Sequence, residues 1–201
     1  MQGLEAATTE IYLIRHGETA WSLVGRHTGL TDVPLTARGA QQAVALGRRL
    51  AGIRFSDVIA SPLGRAMQTC SLAGLASKAR IDPDVVERDY GAFEGQTLLE
   101  IRAQTPGWEP LWDDCPRGES YEKFRARADR VVTALRGREG RVAIFSHGHF
   151  LRALAMRWID INIRAGSRFR LDPASVSVLG LDRGSVAAPV ISLWNDAPAL
   201  V

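Results

Sequence analysis

The sequence predicts an α/β fold: a mostly parallel sheet with helices on both faces. Three observations predict it. The short apolar runs Ile11 to Ile14, Asp57 to Ala60 and Val142 to Phe145 are nearly continuous rather than alternating, as strands buried on both faces are. Segments with helical spacing separate them. The residues most able to do chemistry follow directly after these runs, where open parallel sheets bind ligands. The 201 residues fit a single domain, 1 to 201, with a short lid at about 82 to 118.

Each element has its own signal. Thr36 can cap a helix running to about Ala51, with Ala43, Val44, Gly47 and Leu50 on one face. Ser61 and Pro62 read as an N-cap and a first-position proline, with Leu63, Met67, Cys70 and Gly74 on the inner face of that helix. Pro83, Pro106, Pro110 and Pro116 break up the lid, and only Thr97 to Gln104 looks helical there. Ser120 opens the clearest helix, with Tyr121, Phe124, Ala128, Val131 and Leu135 at helical spacing down to Gly137. A further helix spans about His149 to Trp158. Ser175 to Leu181 and Val190 to Trp194 read as two closing strands around Arg183 and Gly184.

Composition narrows the function. Hydrophobic residues make up 46% and charged residues 23%, an ordinary globular balance that can bury a core without disulfides. The net charge of +3 is spread along the chain, which gives no basic stripe for nucleic acid. No apolar run approaches a membrane span. The opening MQGLEAATTE has no basic region followed by an apolar stretch, and Cys70 and Cys115 form no C-x-x-C. These features suggest reduced thiols and a cytoplasmic protein.

Three segments carry the chemistry. The first strand ends in Arg15-His16-Gly17-Glu18-Thr19, the second in Ser61-Pro62-Leu63-Gly64-Arg65 and the third in Ser146-His147-Gly148-His149. Two histidines and two arginines should therefore meet at one sheet edge. Glycine after each histidine should let backbone N–H groups approach a ligand. The helix start at Gly148 adds a positive dipole end. Such a donor-rich, cationic edge suits a phosphoryl group. One imidazole could attack phosphorus while the other holds the transferring oxygens, with Arg15 and Arg65 neutralising charge. Glu87, at the border of the lid, is a carboxyl able to protonate the leaving oxygen.

R-H-G-E-T, T-G-L-T-D-V-P-L-T, S-P-L-G-R-A-M-Q-T, E-R-D-Y-G-A-F-E-G and S-H-G-H together resemble the histidine phosphatase superfamily, in its phosphoglycerate mutase-like branch. The resemblance runs from about Ile11 to Trp158. It implies His16 as nucleophile, Glu87 as proton donor, and a phosphate pocket of Arg15, Arg65, His147, Gly148, Thr28 and Gly29. It implies no cofactor and no metal, and a small phosphoester as partner. Ser22 stands where mutases of the family usually carry Asn. Positions 96 to 117 hold no Arg-Arg and no Lys, which the mutases use to grip phosphoglycerate. The chain is therefore more similar to the family's small phosphatases, and Trp21-Ser22 with T-G-L-T-D resembles the sedoheptulose bisphosphatase type. Ser22, His27, Tyr90 and His149 are candidates for the substrate side.

Plainer roles stand beside these. His27 could be an exposed loop residue, and His149 could simply begin a helix. Glu18 could orient the site or sit at the surface, and Glu94 reads as a turn residue. Trp108 and Trp112 suit packing as well as substrate contact, and Trp194 suits a core anchor. Two rivals remain. A metallohydrolase would use His16, His147, His149, Glu18 and Asp32 as ligands. A phospho-ligand-binding module without catalysis would use the same fold.

Overall fold

A computed structural model describes residues 9–182 and 187–197. Its sheet comprises β1 (Glu10–Arg15), β2 (Asp57–Ala60), β3 (Ala79–Ile81), β4 (Arg141–Ser146), β5 (Val176–Leu181) and β6 (Pro189–Asp196). Their spatial order is β3-β2-β4-β1-β5-β6. The β1–β4, β2–β4 and β2–β3 pairings are parallel. β5 and β6 add an antiparallel margin beyond β1. The expected Arg183-Gly184 turn lies outside the described residues.

Helices cover both faces because every central strand is apolar on both. Ile11, Leu13, Val142 and Ile144 pack with Phe124, Ala128 and Leu135 of α5 (Tyr121–Arg136) and Leu151, Leu154 and Trp158 of α6 (Gly148–Trp158). Ile14, Val58, Ala60, Ala143 and Phe145 face the other way, onto Leu46 and Leu50 of α2 (Ala37–Leu50) and Cys70 of α3 (Gly64–Leu72). Fully burying one such side chain contributes roughly 1.5–3 kcal/mol. No described helix is long and apolar enough to cross a membrane.

The expected helices form, with corrections at their edges. Thr36 caps α2 by accepting from Gly39 N at 2.9 Å, and Ser120 caps α5. Val44, however, is exposed, and Ala45 and Leu46 take the inner face. Ser61 is no N-cap. The helix begins only at Gly64, and the Ser61 hydroxyl instead meets His147 Nε2 at 2.8 Å. With that start, Arg65, Ala66, Thr69 and Cys70 turn inward, while Met67 and Gly74 are exposed. Several short elements carry no sequence signal strong enough to predict, among them the one-turn helix α1 (Ala20–Leu23), the half-exposed edge strand β3 and the 3₁₀ helix at Ile163–Arg168.

The lid is better packed than its prolines suggest. Tyr90, Phe93, Ile101, Trp108 and Cys115 form a small buried core, and Leu98 of α4 (Leu98–Gln104) packs against it. Thr97 and Glu100 close a capping box at the start of α4. Arg88 ties the segment together from inside. It is fully buried, donates to the carbonyls of Pro110, Asp113 and Glu119 at 2.6, 2.6 and 3.1 Å, and lies over the Phe124 ring. Arg88→Met should leave those carbonyls without a donor and cost about 2–4 kcal/mol. Urea unfolding should show an earlier midpoint, and limited proteolysis should cut within 105–118 sooner. An unchanged midpoint with unchanged proteolysis would contradict this role.

Candidate active site

The parallel register builds the site. Arg15 is the partner of Ser146, and His16 N continues the ladder by donating to Ser146 O at 3.0 Å. His16 and His147 therefore leave neighbouring strands side by side, with ring centroids 5.2 Å apart. Ser61 N donates to Phe145 O at 3.0 Å, which brings the end of β2 to the same edge. On the other side, Ser146 Oγ donates to Val85 O at 2.7 Å and draws Glu87 in from the lid border.

His16 is buried, and its Nδ1 lies 2.7 Å from the carbonyl oxygen of Gly17. A carbonyl only accepts, so Nδ1 carries the hydrogen and Nε2 carries the lone pair. Burial, then the charges of Arg15 and Arg65, push this imidazole well below its ordinary value near 6.5. The ring is therefore neutral at neutral pH and able to attack through Nε2.

Gly17 corrects the sequence expectation. Its N–H donates to Thr69 Oγ1 at 3.0 Å, not toward a ligand. Glycine is needed there because a Cβ would come within 2.4 Å of the Gly39 carbonyl oxygen. Glu18 also belongs to this junction: it accepts from Thr36 Oγ1 at 2.8 Å, away from the cleft.

A cleft of about 150 Å³ opens in front of His16, with Arg15, Ser22, Arg26, His27, Thr28, Glu87, Tyr90, Gly148, His149 and Arg152 in its walls. Arg15 Nη1 donates to the Leu171 carbonyl, while its buried Nε has no partner and lies beside Gly148. Burial holds this guanidinium down to about 10, against the pull of Glu87, so it stays charged at neutral pH. Glu87 accepts three backbone N–H bonds. Arg88 N and Phe150 N bind Oε1 at 3.0 and 2.9 Å, and His149 N binds Oε2 at 3.0 Å. Two of these donors belong to the first turn of α6, so the helix end fixes the carboxyl. Oε2 keeps one lone pair uncommitted.

Arg65, His147 and Gly29 do not line the cleft. The Arg65 guanidinium is fully buried and donates to the carbonyls of Thr28, Gly29 and Thr31 at 3.2, 2.7 and 2.9 Å. Its Nε donates to His147 Nδ1 at 3.2 Å, so His147 Nε2 donates to Ser61. This layer sits behind His16 and braces it. Glu94 holds the same loop through Leu30 N at 3.0 Å, a structural role as expected, but one exerted on a loop 64 positions away and not on its own turn.

The substrate-side candidates do gather. His27 is buried and stacked on His149, with centroids 5.8 Å apart and an interplanar angle of 14°. Trp108 packs against the edge of His27, so it serves packing. Tyr90 lies 2.6 Å from His149 Nδ1 through its hydroxyl. Burial, then Glu87, raises the Tyr90 hydroxyl well above 10, so it keeps its proton and donates. The free hydrogen of neutral His149 then sits on Nε2. Ser22 reaches the wall, but its hydroxyl is committed to the backbone of Thr19 as part of a capping box. Arg26, Arg152 and Leu171 line the cleft without having been expected there. The spacing from Gly148 to Arg152, one helical turn, was the available sign for Arg152. Among the described residues, no three His, Cys, Asp or Glu side chains converge as metal ligands.

A model of the histidine phosphatase superfamily, branch 1, matches residues 11–197. The chain belongs to this superfamily. An acid phosphatase of Mycobacterium tuberculosis is 41% identical over 187 residues, covering 91% of this chain and 92% of that one. A protein of Erwinia tasmaniensis named "Probable phosphoglycerate mutase GpmB" is 32% identical over 84% of this chain and 83% of its own. A solved structure of a Mycobacterium tuberculosis open reading frame superposes with a TM-score of 0.88 at 38% identity, covering 94% of this chain and 98% of that one.

All four histidines, His16, His27, His147 and His149, are pushed below 6.5, with burial as the leading cause in each. Each stays neutral in the fold yet protonates near 6.5 once the chain unfolds. The unfolded chain thus binds more protons below that pH. The associated stability is complete above about pH 6.5 and is lost as pH falls through it. The loss is up to ~1.4 kcal/mol per pH unit for each histidine. Urea unfolding should therefore show a clearly lower midpoint at pH 5.5 than at pH 7.5. Equal midpoints at the two pH values would contradict buried neutral histidines.

Proposed function

We propose that this protein is a phosphatase that hydrolyses a small phosphomonoester through a phosphohistidine on His16. The observation that carries the reading is the neutral His16, with Nδ1 held by Gly17 O, sharing one cleft with Arg15 and Glu87. Membership of the family and the acid phosphatase relative support it.

His16 Nε2 attacks phosphorus as the ester P–O bond breaks. The leaving oxygen takes a proton from Glu87. Water then attacks the phosphohistidine, Glu87 takes a proton back, the N–P bond breaks and inorganic phosphate leaves. Arg15 and the Gly148 N–H at the start of α6 hold the phosphoryl oxygens. Thr28 borders them. Arg65 acts from behind, through its positive charge and through the loop at Thr28 and Gly29, while the neutral His147 ties Arg65 to Ser61. These groups supply the charge compensation, so no metal or other cofactor takes part. Arg26 is held at the rim by Glu100 at 3.5 Å.

Hydrolysis fits better than mutase chemistry. A mutase must retain its phosphohistidine and grip a carboxylate in two orientations. The residues 96 to 117 supply neither an Arg pair nor a Lys for that. The buried, unpaired Cys70 and Cys115 suit a cytoplasmic setting, and the size of the cleft suits a small molecule as partner.

His16→Ala should remove nearly all phosphate release from a folded protein. Glu87→Gln should slow an alkyl phosphate by ~10²-fold or more, the usual scale for one acid–base group. It should slow p-nitrophenyl phosphate far less, because that leaving group needs little help from an acid. Equal losses on both esters would show Glu87 positioning and not protonating. Near-normal turnover by folded His16→Ala would remove the reading, as would efficient interconversion of phosphoglycerates with little phosphate released.

A further inference from the structure

One cation in the cleft is left over by the phosphoryl chemistry. Arg152 leaves α6 one turn after Gly148 and lines the same cavity as Arg15, His149 and Tyr90. Its Nε donates to the Gly148 carbonyl at 3.2 Å, and Nη1 reaches the Gly166 carbonyl at 3.4 Å. Among the described residues, Nη2 has no hydrogen-bond acceptor, and no carboxylate lies within ion-pair distance of the guanidinium. Arg26, by contrast, already has Glu100 and the Gly95 carbonyl. A largely enclosed guanidinium without a counterion is costly unless an anion meets it.

Arg152 and Arg15 both border Gly148 and repel one another, but Arg152 is not among the charges acting on the attacking imidazole. Arg15 and Arg65 are the charges that depress His16, whereas Arg152 is the leading charge on His149. It also acts on Tyr90 and His27. His149, Tyr90 and Glu87 are linked by direct bonds, and Glu87 is the proposed donor to the leaving oxygen. Arg152 shares the cavity wall with this linked set, which places its free Nη2 beside the leaving group. The neutral His149 presents an Nε2–H there as a second donor.

We propose that Arg152, with His149 Nε2–H, forms a second anion subsite, so that the preferred substrate is a phosphomonoester whose leaving group carries a further carboxylate or phosphate. This deepens the phosphatase reading and rests on it. A guanidinium–anion contact in this setting should be worth roughly 10- to 100-fold in kcat/KM.

The test uses matched pairs of esters. Glycerol 2-phosphate against 2-phosphoglycerate reads a carboxylate. Fructose 1-phosphate against fructose 1,6-bisphosphate reads a second phosphate. The wild-type protein should favour the more anionic member of at least one pair by about 10-fold or more. Which pair shows it identifies the anion. Arg152→Gln should collapse that ratio, and Arg152→Lys should keep part of it. No preference in either wild-type pair would overturn the subsite without needing any variant. Equal slowing of both members of each pair by Arg152→Gln would also overturn it, by assigning Arg152 to the transferred phosphoryl group. Turnover of p-nitrophenyl phosphate by wild type and not by His16→Ala separates the two readings. If that turnover is absent, the phosphatase reading falls and takes the subsite with it. If it is present without discrimination between pair members, the subsite alone falls.

Discussion

The hydrogen bond from His16 Nδ1 to the Gly17 carbonyl decides which face of the imidazole can react. It fixes one tautomer and leaves the lone pair on Nε2, the atom that attacks in the proposed reaction. A ring so placed would be useless if it were protonated. Burial between Arg15 and Arg65 keeps it neutral, and in the proposed reaction the same positive charges would draw in the phosphate dianion. One arrangement thus serves both binding and nucleophilicity. It requires the backbone at Gly17 to pass close under α2, where the absence of a Cβ on both Gly17 and Gly39 allows contact.

The remaining groups are held by backbone more than by one another. Arg65 gathers three carbonyls of the Thr28–Thr31 loop and one nitrogen of His147. Glu87 is held by the amides that open α6, while Arg127 donates to the Glu87 carbonyl and to those of Asp84 and Val86. Arg88 does the same for the lid behind Tyr90. Buried arginines therefore act here as fixed multi-point donors, a use that suits the planar guanidinium better than lysine. The cleft keeps its shape because its walls are tied to the sheet edge and to α6.

Much of this was legible before the structure. The apolar runs that became β1, β2 and β4 were plain because both faces of those strands are buried, and their ends delivered His16, Arg65 and His147 to one edge. Strand β3 was hidden because an edge strand with two exposed residues has no apolar pattern. Ser61 resembled a helix cap, yet its partner is His147, 86 positions away. Arg65 and His147 read as ligand contacts from sequence, whereas the carbonyls, the serine hydroxyl and the mutual bond that hold them in the structure leave no trace in composition. Gly17 was expected to serve a ligand and instead serves packing. Arg152 was hidden among 25 basic residues, and only its place on α6 singles it out.

The claim on which the rest depends is that His16 reacts through Nε2. Rapid-quench trapping with a slow phosphoester, followed by phosphorus NMR and mass spectrometry of the denatured protein, reads the bonded nitrogen directly. The structure predicts an acid-labile, base-stable phosphohistidine on His16, with phosphorus on Nε2 and a hydrogen on Nδ1. Phosphorus on Nδ1, or on a residue other than His16, would contradict it.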